Sequence, residues 1–351
     1  MVKYAWFFFL FLLPVALSAQ LGGSKVYRFL SVPASPRTAA LGGSGVAVWG
    51  ADASMAEQNP ALLHSEMHQQ LVLNYVDYFA RIPLGQFVYV HHTPRWGTFS
   101  ATFHSINYGE FIETDPTGLS LGEFRAADSY YQIGWGFPLR DDLQVGAHVK
   151  FINSNLERYY SHGLAADVAL LYHPDESFSI SLIARNMGYQ LRTYYTDGER
   201  ESLPFEMELA ASKKLEHAPF RIHASYQHLN RYNLLYDDPD NPVETTNPFT
   251  GEVTRISDLS LFFDNLTRHF IVGAEFIPSK NFYAALSFNA QRRAELTIND
   301  KSGFVGISWG VGVKVSKFNI AFARSVYHLA GGSNHFSLSV NLASFYKKKS
   351  V

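Results

Sequence analysis

The sequence predicts an all-β membrane protein, a 14-stranded antiparallel outer-membrane β-barrel with an N-terminal hatch. Three observations predict this class. Apolar and polar residues alternate in segments of about 9 to 11 residues, the length that crosses a bilayer at a tilt. The segments number fourteen, and bacterial single-chain barrels have an even number of strands. The connections between them alternate between short and long, as periplasmic turns alternate with surface loops.

The amino-acid composition excludes several kinds of function. Of the 351 residues, 47% are hydrophobic and 15% aromatic, while only 17% are charged and none is cysteine. The formal net charge of −2 argues against a nucleic-acid partner. The lack of cysteine excludes disulfides, thiolate metal sites and a cysteine nucleophile. We expect no cofactor and no metal ion.

Residues 1–19 have the features of a signal peptide. Lys3 precedes the apolar run YAWFFFLFLLPVAL, and small residues before Gln20 supply a cleavage site after Ala19. The run is shorter than the roughly 20 residues that a spanning helix needs. We therefore expect export, with a mature chain that begins at residue 20.

Each predicted strand has one apolar face, which we expect to meet lipid. In segment 143–151, for example, Val145 and Val149 alternate with Gln144, His148 and Lys150. In segment 304–315 the predicted lipid face comprises Val305, Ile307, Trp309, Val311, Val313 and Val315. Aromatic residues near the strand ends predict a membrane girdle: Tyr75, Tyr78, Tyr130, Tyr131, Trp135, Phe137, Tyr172, Phe345 and Tyr346. The strands are predicted to begin near residues 70, 85, 97, 129, 143, 163, 177, 204, 219, 268, 281, 304, 317 and 334.

The connections predict the topology. The long ones lie near residues 106–128, 188–203, 230–267 and 291–303, and they fall at odd-numbered positions in the series. We therefore expect a barrel over 70–346 with extracellular long loops and both termini in the periplasm. Residues 347–351 would form a short periplasmic tail.

Residues 20–69 precede the first strand and are predicted to plug the lumen. Side chains alone fill a barrel of about eight strands, so a wider barrel leaves space for such a segment. The stretch from Leu41 to Leu63 is rich in glycine and alanine, which allow close backbone packing.

The predicted hatch site has three polar residues, which need partners inside the lumen, together with two packing glycines and a turn proline. Lys150 and Lys314, on predicted lumen faces, are the expected partners of the hatch aspartate. The site residues are Arg37, Gly42, Gly43, Asp52, Asn59 and Pro60.

The segment from Ser35 to Leu63, SPRTAALGGSGVAVWGADASMAEQNPALL, resembles the hatch of FadL-like outer-membrane barrels. The shared features are the Gly/Ala-rich run, the Asp-Ala-Ser step and the following Asn-Pro-Ala. The form Pro-Arg-x-Ala-x-Leu-Gly-Gly is similar to the PorV/PorQ branch of that superfamily, which belongs to the type IX secretion system of Bacteroidetes. The chain length is closer to the PorQ side of the branch.

The resemblance implies a protein that is not an enzyme. It implies a barrel that anchors a PorZ-like surface partner, with PorU and PorV as further partners, in a complex that processes cargo and attaches it to lipopolysaccharide. The barrel itself would contact outer-membrane lipid. A PorV-like cargo shuttle and a FadL-type transporter of hydrophobic small molecules are the alternatives. A barrel hydrolase is a more distant one, because catalytic triads are set by geometry and not by spacing.

The connection from Asn230 to Thr267 is the predicted partner-binding loop. Solvated loops rarely carry so much apolar area without a use, and aromatic anchors with a charged rim are typical of protein interfaces. The alternative is that these residues fold back and cap the barrel mouth. The candidate contact residues are Tyr232, Tyr236, Asp237, Asp238, Phe249, Arg255, Phe262 and Phe263.

Overall fold

The computed structural model describes residues 25–196, 198–235, 243–246, 253–297, 303–328 and 331–346. Within these residues, fourteen antiparallel strands close into a barrel, which confirms the predicted fold class. The first strand closes on the last, and Gln70 pairs with Asn341. Among the helices of the described residues, none combines the length and hydrophobicity that a membrane crossing requires.

The barrel strands lie next to their sequence neighbours, and a small hairpin is inserted between the ninth and tenth of them. The barrel strands are β1 (Gln70–Asp77), β2 (Pro83–Thr93), β3 (Gly97–Thr114), β4 (Ser120–Arg140), β5 (Leu143–Leu156), β6 (Tyr159–Tyr172), β7 (Phe178–Arg192), β8 (Glu206–Lys214), β9 (Phe220–Tyr226), β12 (Phe270–Ser279), β13 (Phe282–Asn289), β14 (Ile307–Val315), β15 (Phe318–His328) and β16 (Gly331–Asn341). The hairpin consists of β10 (Glu244–Thr246) and β11 (Val253–Arg255).

Four α-helices accompany the strands. Two short ones, α1 (Pro36–Ala40) and α2 (Ala53–Ala56), belong to the hatch, and α3 (Asp258–Arg268) and α4 (Ala290–Leu296) lie in connections. Both hatch helices begin at a capping side chain, because Ser35 accepts a hydrogen bond from Thr38 N and Asp52 accepts one from Ser54 N. Single 3-10 turns are formed by Arg28–Ser31, Pro60–Leu62, Ser65–Met67, Phe79–Arg81 and Leu342–Phe345.

The two faces of the strands differ as the alternation predicts. On β5, Gln144, His148 and Lys150 are buried against the lumen, while Val149 and Phe151 are exposed on the outer face. The buried row is polar and the exposed row apolar, the reverse of a soluble sandwich. The outer face therefore matches a hydrocarbon environment.

Two residues depart from the predicted lipid face. Tyr130 is buried in the lumen, because its neighbour Tyr131 takes the outward position and successive strand residues point to opposite faces. Val305 is also buried and precedes β14, because Gly306 turns the chain at a φ of +84° before the strand begins.

The barrel has two distinct ends. At the turn end the strands are joined by short connections, such as 94–96, 141–142 and 316–317. At the opposite loop end lie the longer connections. The predicted loop 106–128 is largely a β-ribbon, since β3 reaches Thr114 and β4 begins at Ser120. The ribbon forms because cross-strand pairing continues past the barrel rim.

The hatch crosses the barrel from end to end. Its first described residue, Lys25, forms a bridge with Ser202 in the β7–β8 connection at the loop end. The chain then descends to Gln70 at the turn end, where β1 begins. The described hatch thus begins at the loop end, whereas both termini of the chain lie outside the described residues, and their periplasmic location stays a prediction. The predicted signal peptide and the 347–351 tail lie outside the described residues.

Candidate functional site

The hatch is packed into the lumen as a core. Leu41, Leu62, Leu63 and Met67 from the hatch are fully buried in one cluster with wall residues such as Leu171. A second cluster nearer the loop end contains Tyr27 and Phe29 of the hatch. The hatch is thus held by the same apolar burial that stabilises a soluble domain.

A buried ion-pair group ties the hatch to the wall; we call it the clasp, formed by Arg37, Asp52, Arg221 and Glu275. Arg37 donates from Nε to Glu275 Oε1 (2.7 Å) and from Nη2 to Oε2 (3.1 Å). Its Nη1 lies 3.3 Å from Asp52 Oδ2. Arg221 of β9 donates to the other side of the Glu275 carboxylate at 3.0 Å. Two cations therefore face two anions, so the formal charge of the clasp is balanced.

The predicted partners of Asp52 are wrong. Lys150 instead binds Asp167 at 2.8 Å and Asn186 at 2.9 Å, and Lys314 is exposed. Asp167 lies on β6, next to β5, opposite His148. A buried ammonium pairs with the nearest carboxylate, and for Lys150 that carboxylate is on the wall.

A second polar contact fixes the hatch near its glycine-rich turn. Ser44 is fully buried and donates to the Glu208 carboxylate of β8, and its hydroxyl lies 2.8 Å from that of Ser225 on β9. Arg185 of β7 pairs with the other Glu208 oxygen. The carboxylate is thereby satisfied from both the hatch and the wall.

The wall also caps the C-terminal end of α1, where helix carbonyls have no intrahelical partner. Four wall side chains donate to four successive carbonyls of the hatch: Ser325 to Ala39 (3.1 Å), Ser287 to Ala40 (2.7 Å), His223 to Leu41 (3.1 Å) and Asn289 to Gly42 (3.1 Å). These wall residues come from β9, β13 and β15. The helix end is therefore specified by the barrel around it.

Both backbone conformation and space matter at Gly42 and Gly43. Their φ values of +82° and +99° lie in the left-handed region that favours glycine. A Cβ at Gly42 would lie 2.6 Å from Ile271 Cγ2, and one at Gly43 would lie 2.5 Å from Arg292 Nη2. Gly42 is thus in close contact with the wall, whereas Gly43 lies beside the mobile end of Arg292 on α4 and is required mainly by its backbone conformation.

Asn59 and Pro60 place the next hatch turn against the wall. Asn59 is fully buried, accepts from Ala61 N at 2.9 Å and donates to the Ser181 hydroxyl of β7 at 2.8 Å. Pro60 lies directly over Gly146 of β5, where a Cβ would come within 2.3 Å of the Pro60 carbonyl carbon. At Gly136 of β4, a Cβ would likewise come within 2.6 Å of Leu63 Cβ. The predicted hatch site did not include these two wall glycines.

At the turn end, Trp49 of the hatch is stacked between two imidazoles. The ring centroids of His64 and His173 lie 4.2 Å and 4.0 Å from the indole. His173 follows β6 in a turn, and partial burial lowers its pKa from the usual value, while Asp142 opposes the shift. The stack packs the hatch against the barrel rim.

The partner-binding loop is only partly described. Tyr236, Asp237, Asp238 and Phe249 lie outside the described residues. Tyr232 is exposed, as are Phe262 and Phe263 on α3, and Arg255 pairs with Asp258 at 3.1 Å.

Helix α3 leaves three of its apolar residues exposed. Its buried residue, Asn265, accepts from Leu234 N at 2.7 Å and donates to Tyr232 O at 2.8 Å. The exposed fractions of Leu259, Phe262 and Phe263 are 66%, 45% and 55%. Much of each of these three side chains is therefore exposed.

The fold and the hatch define the class: a closed antiparallel β-barrel of fourteen strands with an apolar outer face and an N-terminal plug in its lumen. Similar solved structures include the Pseudomonas putida toluene transporter TodX, at 12% identity over 87% of this chain and 97% of that one, with a TM-score of 0.48. The CymD monoaromatic hydrocarbon channel has 12% identity over 88% and 97%, with a TM-score of 0.46.

A Pseudomonas aeruginosa FadL homologue has 11% identity over 87% of this chain and 98% of that one, with a TM-score of 0.41. No protein-family profile matches the chain, and no curated protein does. At such identities we transfer no residue role from these structures.

Proposed function

We propose that the protein holds a protein partner at the cell surface. In this account the barrel fixes the protein in the membrane, the loop end faces outward, and the hatch fills the lumen. The observation that carries the proposal is the exposed apolar face of α3 at the loop end. The resemblance to the PorV/PorQ branch supplies the partner class, a PorZ-like surface protein of a type IX secretion complex, with PorU and PorV as further partners.

The α3 face has the pattern of a docking surface. Leu259, Phe262 and Phe263 are spaced i, i+3 and i+4, so they lie together on one side of the helix. The rings of Phe262 and Phe263 are 5.6 Å apart. Exposed aromatic clusters beside charged residues are typical of binding hot spots.

The same helix is held in place before any partner binds. Ser257 caps its first turn by accepting from Ser260 N, and Arg268 pairs with Asp264 at 2.8 Å. The Nδ1 atom of His269 lies 2.7 Å from the carbonyl oxygen of Gln227, and its Nε2 atom lies 3.0 Å from that of Tyr232. A preorganised surface avoids part of the ordering cost of association, which favours tight binding.

The test replaces both α3 phenylalanines. The variant Phe262→Ser/Phe263→Ser should still insert as a barrel but release the surface partner into the medium, and secreted cargo should lose its attachment. The matched control is Leu119→Ser, which changes a 65% exposed leucine at the tip of the β3–β4 ribbon. The control should retain the partner. Retention by the α3 variant would contradict the proposal, and the contact would then be sought on the other long connections.

A second candidate is passage of a hydrophobic small molecule past the hatch, since TodX is a toluene transporter and CymD a monoaromatic hydrocarbon channel. The hatch favours this candidate in one respect, since polar contacts and packing hold it and no disulfide does. Such transport also calls for a largely apolar pocket leading to the lumen. One cleft of the described residues, about 360 Å³ at the loop end, is lined by Leu191 and by arginine, threonine and tyrosine side chains.

A further inference from the structure

Buried polar side chains form one continuous row on the lumen face of β3, β4 and β5. We call these residues the polar row: Ser100, Thr102, His104, Gln132 and His148. Strand pairing brings them together, because Thr102 lies opposite Gln132, and Gly134 pairs with Ser100 on one side and His148 on the other. None of the five is more than 4% exposed.

The polar row has hydrogen-bonding atoms that the protein does not satisfy. Among the described residues, no group bonds Ser100 Oγ, Thr102 Oγ1 or Gln132 Oε1, and none bonds the Nε2 atom of His104 or of His148. Buried polar atoms are nearly always hydrogen-bonded, since leaving one without a partner costs more than a hydrogen bond contributes. Five such atoms on three neighbouring strands therefore indicate a surface that hydrogen-bonds to a molecule other than the protein.

Described residues enclose the polar row on both sides. Toward the turn end, Pro60 of the hatch packs over Gly146, the next lumen position on β5 after His148. Toward the loop end, the ring centroid of Phe29 lies 6.1 Å from that of His104. The row is thus an internal surface between the hatch and the wall.

The polar row offers both donors and acceptors but no unpaired charge. His148 Nδ1 lies 3.0 Å from the Asp167 carboxylate, so Nδ1 carries a proton and Nε2 of the neutral ring accepts. Gln86 Nε2 donates to Nδ1 of His104 at 3.5 Å, so Nε2 of His104 carries the proton and donates. The nearby Lys150 is bound by Asp167 at 2.8 Å. Such a surface suits small neutral molecules with hydroxyl groups better than ions or hydrocarbons.

The hatch is fixed more firmly on another part of the wall. Ser287, Asn289 and Ser325 donate directly to its carbonyls from β13 and β15, and the clasp holds it to β9 and β12. At the polar row, Gln132 donates to the carbonyl of Glu57 at 3.3 Å, while its own Oε1 atom has no partner among the described residues. A small separation of hatch and wall along the row should therefore break few hydrogen bonds.

We propose that water and small neutral polyols cross the barrel along the polar row, between the hatch and the wall. Gln144 and Asp128 continue the polar lumen face toward the turn end and the loop end. Pro60 is the barrier on this route, because it closes over Gly146. The route does not involve α3, so the proposal does not depend on the partner docking proposed above.

The test uses the purified full-length protein in liposomes, without any partner. Stopped-flow light scattering follows reswelling of the liposomes in a glycerol gradient. The test variant is Ser100→Ala/Thr102→Val, which replaces two hydroxyls of the row by apolar groups. The matched control is Ser308→Ala, which removes a fully buried hydroxyl from β14, on another part of the wall. Heat-modifiable gel migration confirms that each variant is a folded barrel.

We expect the wild type and the control to raise glycerol permeability alike above that of protein-free liposomes. In the test variant this increase should be roughly tenfold smaller, since two hydroxyls that exchange hydrogen bonds with the solute are lost. Thr102→Ser keeps its hydroxyl and should retain most of the permeability. Gly146→Val displaces Pro60 and should raise the permeability, and adding Ser100→Ala/Thr102→Val to it should cancel the gain.

Three results would overturn the proposal. The first is that neither the wild type nor Gly146→Val exceeds protein-free liposomes. The second is that Ser100→Ala/Thr102→Val conducts glycerol as well as the wild type, which would mean that the row is dry. The third is that Ser308→Ala lowers the permeability as much as the test variant, which would mean that the effect is not specific to the row.

Discussion

Arg37 of the hatch and Glu275 of β12 form a two-point ion pair across 238 residues of chain, with Nε–Oε1 at 2.7 Å and Nη2–Oε2 at 3.1 Å. Both side chains are buried, and Arg221 holds the same carboxylate from the wall. Loss of one member of a buried pair leaves an uncompensated charge, which costs more than the pair itself contributes. The clasp therefore couples the hatch directly to the barrel wall.

The first prediction concerns this clasp. Arg37→Ala should weaken the seating of the hatch by about 3–5 kcal/mol, because Glu275 and Asp52 lose a shared buried cation. The hatch should become sensitive to limited proteolysis while the barrel stays folded. Arg125→Ala removes an exposed pair with Glu110 and should change little, since such pairs contribute about 0–1 kcal/mol. Equal protease resistance of the two variants would show that the clasp does not hold the hatch.

The second prediction concerns the wall glycines. Gly146→Val should displace the Pro60 turn, because the new Cβ would overlap its carbonyl carbon, and overpacking of this kind costs about 1–3 kcal/mol. Planar-bilayer recordings should show more frequent opening than for the wild type. Gly85→Val is the control, since its Cβ meets no atom within 4 Å. If the two valine variants record alike, Pro60 does not close the lumen at this point.

The third prediction concerns pH at the turn end. Partial burial lowers the pKa of His173, so the folded state favours the neutral ring stacked on Trp49. This contribution is complete above the unfolded pKa of about 6.5 and is lost as the pH falls below it. His173→Gln should therefore destabilise hatch seating more at pH 8 than at pH 5, as measured by protease protection. If His173→Gln and the wild type differ in protease protection by the same amount at pH 8 and pH 5, protonation of this imidazole does not control hatch seating.

The fourth prediction concerns orientation. Thr117 lies in the loop-end turn of the β3–β4 ribbon, and Asp141 lies in a connection at the turn end. The chain has no cysteine, so one can be introduced at each position in turn. An impermeant maleimide should label Thr117→Cys on intact cells and Asp141→Cys only after the outer membrane is permeabilised. The reverse pattern would place the loop end in the periplasm.

The barrel could be predicted because the alternation of apolar and polar residues that indicates a strand lies within the strand itself. On β5, for example, buried and exposed residues alternate, because one face of the strand meets the lumen and the other meets lipid. The strand ends were less predictable, since the β3–β4 ribbon continues the pattern past the membrane. Tyr130 lies in the lumen and not in the predicted girdle, because strand parity gives the outward position to Tyr131.

The partners of the hatch were not predictable in the same way. Arg37 and Asp52 could be recognised as lumenal polar residues, but the identity of Glu275 and Arg221 depends on how the plug sits in the closed barrel. One sequence feature does indicate where the hatch approaches the wall. Gly136 and Gly146 occupy lumen positions on adjacent paired strands, and such paired glycines indicate close approach of another backbone.

The central claim is that the protein acts at its loop-end surface while the hatch stays in the lumen. Ser44 and Ser225 are suited to test it, because their hydroxyls are 2.8 Å apart and link the hatch to β9. In a Ser44→Cys/Ser225→Cys variant, a disulfide would lock the hatch in place, with Ser44→Cys alone as control. The decisive measurement is surface retention of the partner by oxidised cells. The account predicts retention equal to that of the wild type, whereas a loss that a reductant restores would contradict it and show that hatch movement is required.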